Sequence, residues 1–549
     1  MPAKKKISST YWLSLTLVLT LIAEPALANY RAASAFYQRR DYISAAPAYF
    51  QAMSSPQGPG EREKAEWGLA QSLERLGFYY SASKYYSQIV RRGVTHNNVF
   101  FTKALEELGK MNSTESLGQS HIVQLFKARI DPSQVPAPAR GFYFYYLGIE
   151  AFNHHKYEQA AGYFQRVPPG SPYSIKATFH LGVISNLRGA HSKTISYFER
   201  VRGSATGDQA DWLREQANLN IARVNYEVKR YRTALEYYAQ IRRDSDNWLQ
   251  ALFEASWTFF MMAKHNNTLG TIHTIHAPFF ENRFFPETYI LQAITFLRLC
   301  RYKQVKISLG KFKARYKGVF DDVAKMLDKY KNDSKGFFKL VYDYRVGSLS
   351  DYKRAFAILD SLARTDIYKE AGTTIRFSDN ELARLSRYGQ RWGSTGLQDE
   401  LAGFLRNKKT AAVKDAGNRL YDKGTLYYAY LKELSDQTIG INTEMVLNRV
   451  DELRKQLNVG SPDQKGQFAG GLSPLNVDQE YEYWPFEGEY WEDELGGYVY
   501  NIESLCGKGG DIGVAKPGEK SDKGDKGDKG DKTDGSPPAD KATGSGETK

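Results

Sequence analysis

The chain repeats itself at intervals of about 34 residues along its first 300 positions. Leu147-Gly148 returns 34 residues later as Leu181-Gly182, and Tyr163-Phe164 returns over the same interval as Tyr197-Phe198. Small residues at 148, 182, 222, 255 and 293 continue the series with intervals of 34, 40, 33 and 38 residues. Such self-similarity predicts stacked helix hairpins, because a single hairpin cannot bury all of its apolar surface alone.

The best-defined unit runs from Gly141 to Pro172 and carries Ala151, Ala160 and Phe164 where two antiparallel helices would cross. This unit resembles the tetratricopeptide repeat (TPR), in which small residues sit at the helix crossing and large residues fill the space between units. The resemblance implies an all-α, TPR-type helix-hairpin solenoid with a helical C-terminal extension and a disordered tail. Weaker copies follow the same frame around Ala33, Ala45, Trp67, Ala82, Ala222, Ala234, Ala255, Ala293 and Phe296.

Changes in composition divide the chain into seven predicted parts. Three prolines between 131 and 138 predict a loop, a Gly-, Ser- and Gln-rich stretch predicts a linker, and Gly-Asp-Lys triplets mark a tail with little to bury. The parts are a signal peptide (1–28), N-terminal TPR-like units (29–130), the main TPR array (139–316), a helical extension (317–458), a linker (459–479), an acidic-aromatic segment (480–506) and a disordered low-complexity tail (507–549).

The first 28 residues have the organisation of a secretory signal peptide. Lys4–Lys6 are positive, Tyr11–Ala23 is a short apolar stretch, and Ala26-Leu27-Ala28 is a small-x-small cleavage site. Cleavage after Ala28 predicts a periplasmic or otherwise exported protein that starts at Asn29 and has no membrane span in its mature chain. The alternative is an uncleaved N-terminal anchor, although thirteen residues are short for a bilayer.

In TPR proteins the first helix of each unit lines a concave surface on which segments of partner proteins dock. Applied to the units anchored at 148, 182, 222 and 255, the resemblance implies a partner-binding groove of aromatic residues with a few polar ones. For each residue the alternative is that it packs against the neighbouring unit. The predicted groove residues are Phe142, Tyr145, Ile149, Phe152, Phe179, Asn186, Arg223, Tyr226 and Phe259.

An acidic and aromatic segment follows the linker. Seven carboxylates lie between Glu480 and Glu494 with no Lys or Arg among them, in a chain of net charge +13. One hypothesis is that this segment docks onto the helical body and is fixed there by a disulfide between Cys300 and Cys506. In the alternatives, Cys300 is a small buried residue, and the segment anchors another envelope protein through Trp484, Phe486, Tyr490 and Trp491.

The same segment looks like the closing segment of TPR proteins of gliding-motility and envelope machinery. Together, the two resemblances imply a non-enzymatic periplasmic scaffold that binds protein partners of the cell envelope, within a gliding-motility or other trans-envelope complex. The alternative is a peptidoglycan-acting enzyme or a glycan-binding factor built on a helical solenoid. A basic stretch from Arg301 to Lys317 predicts contact with an anionic polymer or a lipid headgroup. Export of the protein argues against nucleic acid as the partner.

Motifs of catalysis are missing from the sequence. It contains no HExxH, GxxxxGK[ST], GxSxG or GxGxxG motif. His273 and His276 are three residues apart, but zinc needs three or four ligands and no further partner is close in sequence. We therefore expect no catalytic residue, no metal and no cofactor.

An apolar seam is predicted near the end of the helical extension. Val446, Val450, Leu453 and Leu457 follow a 4-3-4 spacing, which puts them on one side of a helix. The favoured interpretation is a cap that buries the open end of the solenoid, and the alternative is a coiled coil with a partner.

Overall fold

Helices dominate the part of the chain that the structure describes. The computed structural model describes residues 30–56, 58, 60–93, 99–115, 117, 122, 135–205, 210–458 and 489–506. These residues form twenty α-helices with short 3-10 turns, and none of them lies in a strand. The predicted signal peptide at 1–28, linker at 459–479 and tail at 507–549 lie outside the described residues.

The helices are numbered here in chain order. The N-terminal ten are α1 (Tyr30–Gln38), α2 (Tyr42–Ser54), α3 (Glu61–Arg75), α4 (Tyr79–Gly93), α5 (Phe101–Glu115), α6 (Arg140–Asn153), α7 (Tyr157–Gln165), α8 (Ser174–Leu187), α9 (His191–Ser204) and α10 (Ala210–Glu227). The C-terminal ten are α11 (Tyr231–Tyr238), α12 (Trp248–Met261), α13 (His265–Ile275), α14 (Glu287–Arg298), α15 (Tyr302–Tyr330), α16 (Ser334–Arg345), α17 (Phe356–Ala363), α18 (Asp366–Leu385), α19 (Gly389–Gly393) and α20 (Leu397–Asn458).

Consecutive helices pair through a turn that is built in the same way each time. One residue of the turn has a positive φ and ends the first helix, as is common at helix C-termini. Two residues later, a tyrosine or histidine begins the second helix, at 42, 79, 157, 191, 231, 265 and 302. The backbone therefore carries the repeat that the sequence shows. The positive-φ residues are Arg40, Gly77, His155, Gly189, Lys229, Ala263 and Cys300.

Small residues let the two helices of a pair approach closely. A Cβ atom on Gly148 would lie 2.5 Å from the ring of Phe164, and one on Gly182 would lie 2.9 Å from the ring of Phe198. Both distances are shorter than real carbon–carbon contacts, so only glycine fits at these positions. The fold is an all-α solenoid of TPR-like helix hairpins, and it continues past 316 because α16 and α17 pack as a further pair.

The chain then turns back, and α18 and α19 pack against the N-terminal hairpins. The carboxylate of Glu381 accepts hydrogen bonds from the backbone N–H groups of Tyr80 (2.6 Å) and Ser81 (3.0 Å) at the start of α4. Negative charge is favourable at a helix N-terminus. The indole of Trp392 is fully buried, and its Nε1 donates to the carbonyl of Ile43 at 2.9 Å. Residues about 300 positions apart are thus in direct contact.

The 62-residue helix α20 joins the two ends of the array. At its N-terminal end Lys408 extends over the ring of Tyr80, 4.2 Å from its centroid, and donates to the carbonyl of Leu117. Further along, Tyr421 donates to the carbonyl of Leu327, and Tyr430 bonds the carboxylate of Glu287. At 1.5 Å per residue, such a helix is about 90 Å long. None of the described helices, α20 included, combines the length and apolar character needed to cross a membrane.

The apolar seam does not cap the solenoid. Val446, Val450 and Leu453 are 47%, 36% and 37% exposed, so they are not covered by the body of the protein. Six buried residues of α20 join the C-terminal core, and the four nearest the seam, Leu431, Leu434, Ile441 and Met445, lie on another side of the helix. The spacing identified a helical stripe correctly, but the cap interpretation assigned the wrong stripe to the core.

Replacing Trp392 with alanine is expected to release the return segment from the N-terminal hairpins. The change leaves a cavity and an unpaired carbonyl at Ile43, and large-to-small changes of buried tryptophan cost about 3–5 kcal/mol. Urea denaturation should show that loss in the free energy of unfolding. Trp212→Ala is the matched control, because this side chain is 48% exposed. Equal stability of the two variants would show that α19 does not hold the ends together.

Candidate partner-binding site

Three of the predicted groove residues belong to the core. Phe142, Tyr145 and Ile149 are 1%, 9% and 3% exposed. Phe142 and Tyr145 both pack on the ring of Tyr173 in the next unit, at centroid distances of 5.9 and 5.3 Å. The prediction that these side chains face a partner disagrees with their burial, because the packing between units uses the same side of α6.

The other predicted residues remain accessible in part. Phe152 on α6, Phe179 and Asn186 on α8, Tyr226 on α10 and Phe259 on α12 are half-buried. The ring of Phe152 lies 5.5 Å from that of His180, and the ring of Phe179 lies 5.3 Å from that of Phe198. All five positions keep part of their surface exposed, and their role in binding stays a prediction.

Arg223 already has a partner within the chain. Its Nε lies 2.9 and 3.1 Å from the two carboxylate oxygens of Glu254, and its Nη2 lies 2.6 Å from one of them. Tyr238 and Gln250 donate to the same carboxylate. This fork links α10 to α12, so Arg223 orients the two helices and offers little to a ligand.

Helix α8 carries polar groups that lack partners within the described part of the chain. Lys176, Phe179, Val183 and Asn186 recur at 3-4-3 spacing and therefore share one stripe of the helix. Burial lowers the pKa of the Lys176 ammonium, and no described carboxylate pairs with it. The Oδ1 atom of Asn186 is buried without a donor. Buried polar groups are normally hydrogen-bonded, so the Asn186 oxygen is unsatisfied as it stands, whereas the ammonium of half-buried Lys176 is not such a buried, unpartnered group.

His180 lies beside that stripe and was not identified from the sequence. Its ring stacks on Phe164 at 5.0 Å, its Nε2 is 3.5 Å from the Tyr145 hydroxyl, and its Nδ1 has no partner within the described residues. Burial lowers the pKa of His180 to about 4. The imidazole is therefore neutral near pH 7. Only the packing of three helices reveals its environment, so no local pattern marks it in advance.

The C-terminal segment 489–506 lies along α13, with turns over residues 492–497 and no regular secondary structure from 498 to 505. The N–H of Gly496 donates to Thr274 Oγ1 at 2.9 Å, the N–H of Tyr500 donates to the carbonyl of Asn266 at 3.1 Å, and the N–H of Leu505 donates to the carbonyl of Leu299 at 2.9 Å. Main-chain bonds of this kind are a recurrent way to hold a peptide. A Cβ atom on Gly270 would overlap the carbonyl of Tyr498, so glycine is required there.

Aromatic contacts and a disulfide fix the two ends of this segment. Tyr490 stacks on His273 with a centroid distance of 4.7 Å, and Tyr500 hydroxyl lies 3.2 Å from His273 Nδ1. Cys506 is bonded to Cys300, with a Cα–Cα distance of 5.0 Å. Trp491 is 59% exposed, so it is the ring of the segment that another molecule can meet. Trp484 and Phe486 lie outside the described residues.

Within the described residues, no three His, Cys, Asp or Glu side chains are grouped so as to hold a metal ion. His273 contacts the C-terminal segment, and His276 bonds Thr288 Oγ1 at 2.7 Å. The arrangement offers recognition through rings, unpaired polar atoms and main-chain groups.

Comparisons with known proteins carry no argument about this chain. No protein-family model and no curated protein matches the chain. Fifty solved chains match, among them a crystal structure of Rap protein complexed with Competence and Sporulation Factor. It shares 12% identity with a TM-score of 0.28, over 65% of this chain and 99% of that chain. A likeness at this level carries no argument about ligands.

Gly270→Ala is expected to lift the C-terminal segment off α13. The added methyl group collides with the carbonyl of Tyr498, so the amides of Gly496 and Tyr500 should lose their protection. Hydrogen–deuterium exchange measured on the oxidised protein should accelerate there by about tenfold or more, as expected for local opening. Gly310→Ala is the control, because nothing lies near a Cβ atom at that position. Unchanged exchange in Gly270→Ala would refute this docking geometry.

The acid stability of the protein should depend on His180. Because its pKa is about 4 in the fold and near 6.5 when unfolded, the unfolded chain takes up the proton first as the pH falls. Stability is therefore lost between about pH 6.5 and pH 4, by a total on the order of 3 kcal/mol. His180→Phe should flatten this part of the stability curve in urea titrations, whereas exposed His154→Phe should not. Parallel curves for wild type and His180→Phe would contradict the assignment.

Proposed function

We propose that this protein is a non-enzymatic scaffold of the bacterial cell envelope that binds a protein partner through the first helices of its hairpins. The observation that carries the proposal is the stripe on α8. There, Lys176 and Asn186 have polar groups without partners among the described residues, and Phe179 lies between them. A ligand that donates to Asn186 Oδ1 removes the free-energy cost of leaving that buried atom unsatisfied, and a ligand acceptor beside Lys176 gains a charge-assisted hydrogen bond.

The chemistry of the stripe defines the partner. Lys176 suits an oxygen acceptor such as a carboxylate or carbonyl, Asn186 Oδ1 suits an N–H donor, and the ring of Phe179 suits an apolar side chain. A peptide backbone with an acidic or apolar side chain supplies all three. Half-buried Phe152, Tyr226 and Phe259 on the neighbouring first helices extend the surface with rings, which dominate the energetics of protein interfaces.

The site of action is proposed to be the periplasm. The N-terminal sequence through Ala28 supports export, and a bonded Cys300–Cys506 pair is compatible with an oxidising compartment. The acidic-aromatic sequence before Cys506 supports a more specific role for the protein within a gliding-motility or other trans-envelope complex. With Trp491 exposed, the docked segment offers such a complex one aromatic contact of its own.

Replacing Lys176 and Asn186 together with alanine should weaken capture of the partner by at least about tenfold, because one charged and one neutral hydrogen bond are lost. The measurement is affinity purification of the tagged protein from the native envelope, followed by quantitative mass spectrometry. Neither side chain has a partner within the described chain, so circular dichroism and thermal melting should not change.

The matched control is Lys193→Ala with Asn332→Ala, one exposed lysine and one exposed asparagine away from the stripe. It should recover the same proteins as wild type. N-terminal sequencing of the purified protein should begin at Asn29. Equal recovery by the stripe variant would refute the binding surface, and an intact Met1 in the cytoplasmic fraction would refute the location.

A further inference from the structure

A cavity lies between the end of α13 and the side of α15. Its volume is ≈ 300 Å³, at the lower end of the range for small-ligand sites. Four rings and two guanidinium groups line it: Phe280, Phe285, Tyr289, Tyr316, Arg283 and Arg315. Phe280 ends a 3-10 turn, Phe285 lies just before α14, Tyr289 lies in the first turn of α14, and Tyr316 lies on α15 with its ring centroid 6.1 Å from that of Tyr289. The cavity is separate from the stripe on α8.

Arg283 is poorly neutralised by the chain. Its Nη1 lies 3.8 Å from Asp360 Oδ2, and that oxygen already accepts from Arg364 Nε at 2.7 Å. Its Nη2 donates a long hydrogen bond of 3.4 Å to the carbonyl of Asp246. Burial, and then the charge of Arg364, lower the pKa of the Arg283 guanidinium. A buried cation with this much spare donor capacity favours an anion beside it.

Arg315 adds a second positive group to the same cavity. One of its nitrogen atoms donates to the carbonyl of Glu281, which leaves other donors of the guanidinium available. Burial, followed by the charges of Arg315 and Lys311, lowers the pKa of His276 to about 3. The His276 imidazole therefore stays neutral beside the positive charges of Arg315 and Lys311. The single acidic lining residue, Glu281, is exposed at the rim.

We propose that this cavity binds an organic carboxylate that carries an aromatic or apolar group. The two guanidinium groups bind the carboxylate, since their planar donors match its two oxygens. Four aromatic walls bind the attached group, which inorganic anions lack. The site accounts for part of the basic stretch on α15, because half-buried Arg315 lines this cavity while Lys311 and Lys313 are exposed.

The test is a ligand-observed NMR titration of the full chain with N-acetylphenylalanine at low ionic strength. The parallel probes are N-acetylphenylalaninamide, which has the ring without the charge, and inorganic phosphate, which has charge without the ring. We expect the acid to bind at least tenfold more tightly than the amide, and phosphate to compete only at much higher concentration. Charge-assisted hydrogen bonds account for a preference of about this size.

Two variants assign the binding to the cavity. Arg315→Leu and Arg283→Leu should each weaken acid binding by about tenfold or more, since each removes charge-assisted hydrogen bonds. Lys313→Leu is the matched control, because it removes one exposed positive charge from the same helix outside the cavity, and it should change affinity less than twofold. Thermal melting identifies a variant that has lost its fold.

Three results would overturn the proposal. The first is the absence of any binding of N-acetylphenylalanine to wild type. The second is equal affinity for the acid and the amide, which would mean that the guanidinium groups take no part. The third is retention of acid binding by folded Arg315→Leu and Arg283→Leu alike, which would place the ligand elsewhere.

Discussion

The rest of the structure depends on one contact within single hairpins, in which an aromatic ring packs directly against the Cα atom of a glycine. At Gly148 and Gly182 the rings of Phe164 and Phe198 occupy the space where a Cβ atom would be. This fixes how closely the two helices of a hairpin approach and how they are rotated about their axes. The rotation decides which side chains of the first helix pack on the next unit and which stay accessible. Both the core and the stripe on α8 follow from it.

The helical array acquires its second level of organisation from contacts that are distant in sequence. Glu381 binds the amino end of α4, Trp392 packs under α2, and α20 reaches from there to the core of α15 and α16. Solenoids normally rely on neighbours alone, so their stability is a sum of local terms. Here the return segment couples the first hairpins to the last. Unfolding of one end of the array therefore destabilises the other end. The surfaces of the first helices between them keep fixed positions relative to one another.

The sequence predicts the repeated part of this molecule well and the unique part poorly. Each glycine anchor and the ring that follows it have a fixed spacing; that spacing predicts stacked hairpins, and its resemblance to the TPR pattern implies the all-α solenoid. The return of Trp392 to Ile43 leaves no such signal, because its partner lies 349 positions away and belongs to a different unit. The same holds for His180 and Asn186, whose unpartnered atoms become apparent only when every described neighbour is in place. Phe142 and Tyr145 show the complementary limit: a position on the first helix does not distinguish a ring that packs on the next unit from one that meets a partner.

The C-terminal segment shows why a covalent link alone does not explain its position. Cys506 fixes one end at the turn that carries Cys300, but Tyr490 is 16 residues earlier, and a flexible chain of that length can reach many places. The intervening contacts are specific: Gly270 admits the main chain of Tyr498, Asn266 bonds Tyr500, and His273 receives the ring of Tyr490. These contacts cover the side of α13 that carries Asn266, Gly270 and His273 with the docked segment. The stripe on α8 is thus left as a surface that the chain does not cover with a segment of its own among its described residues.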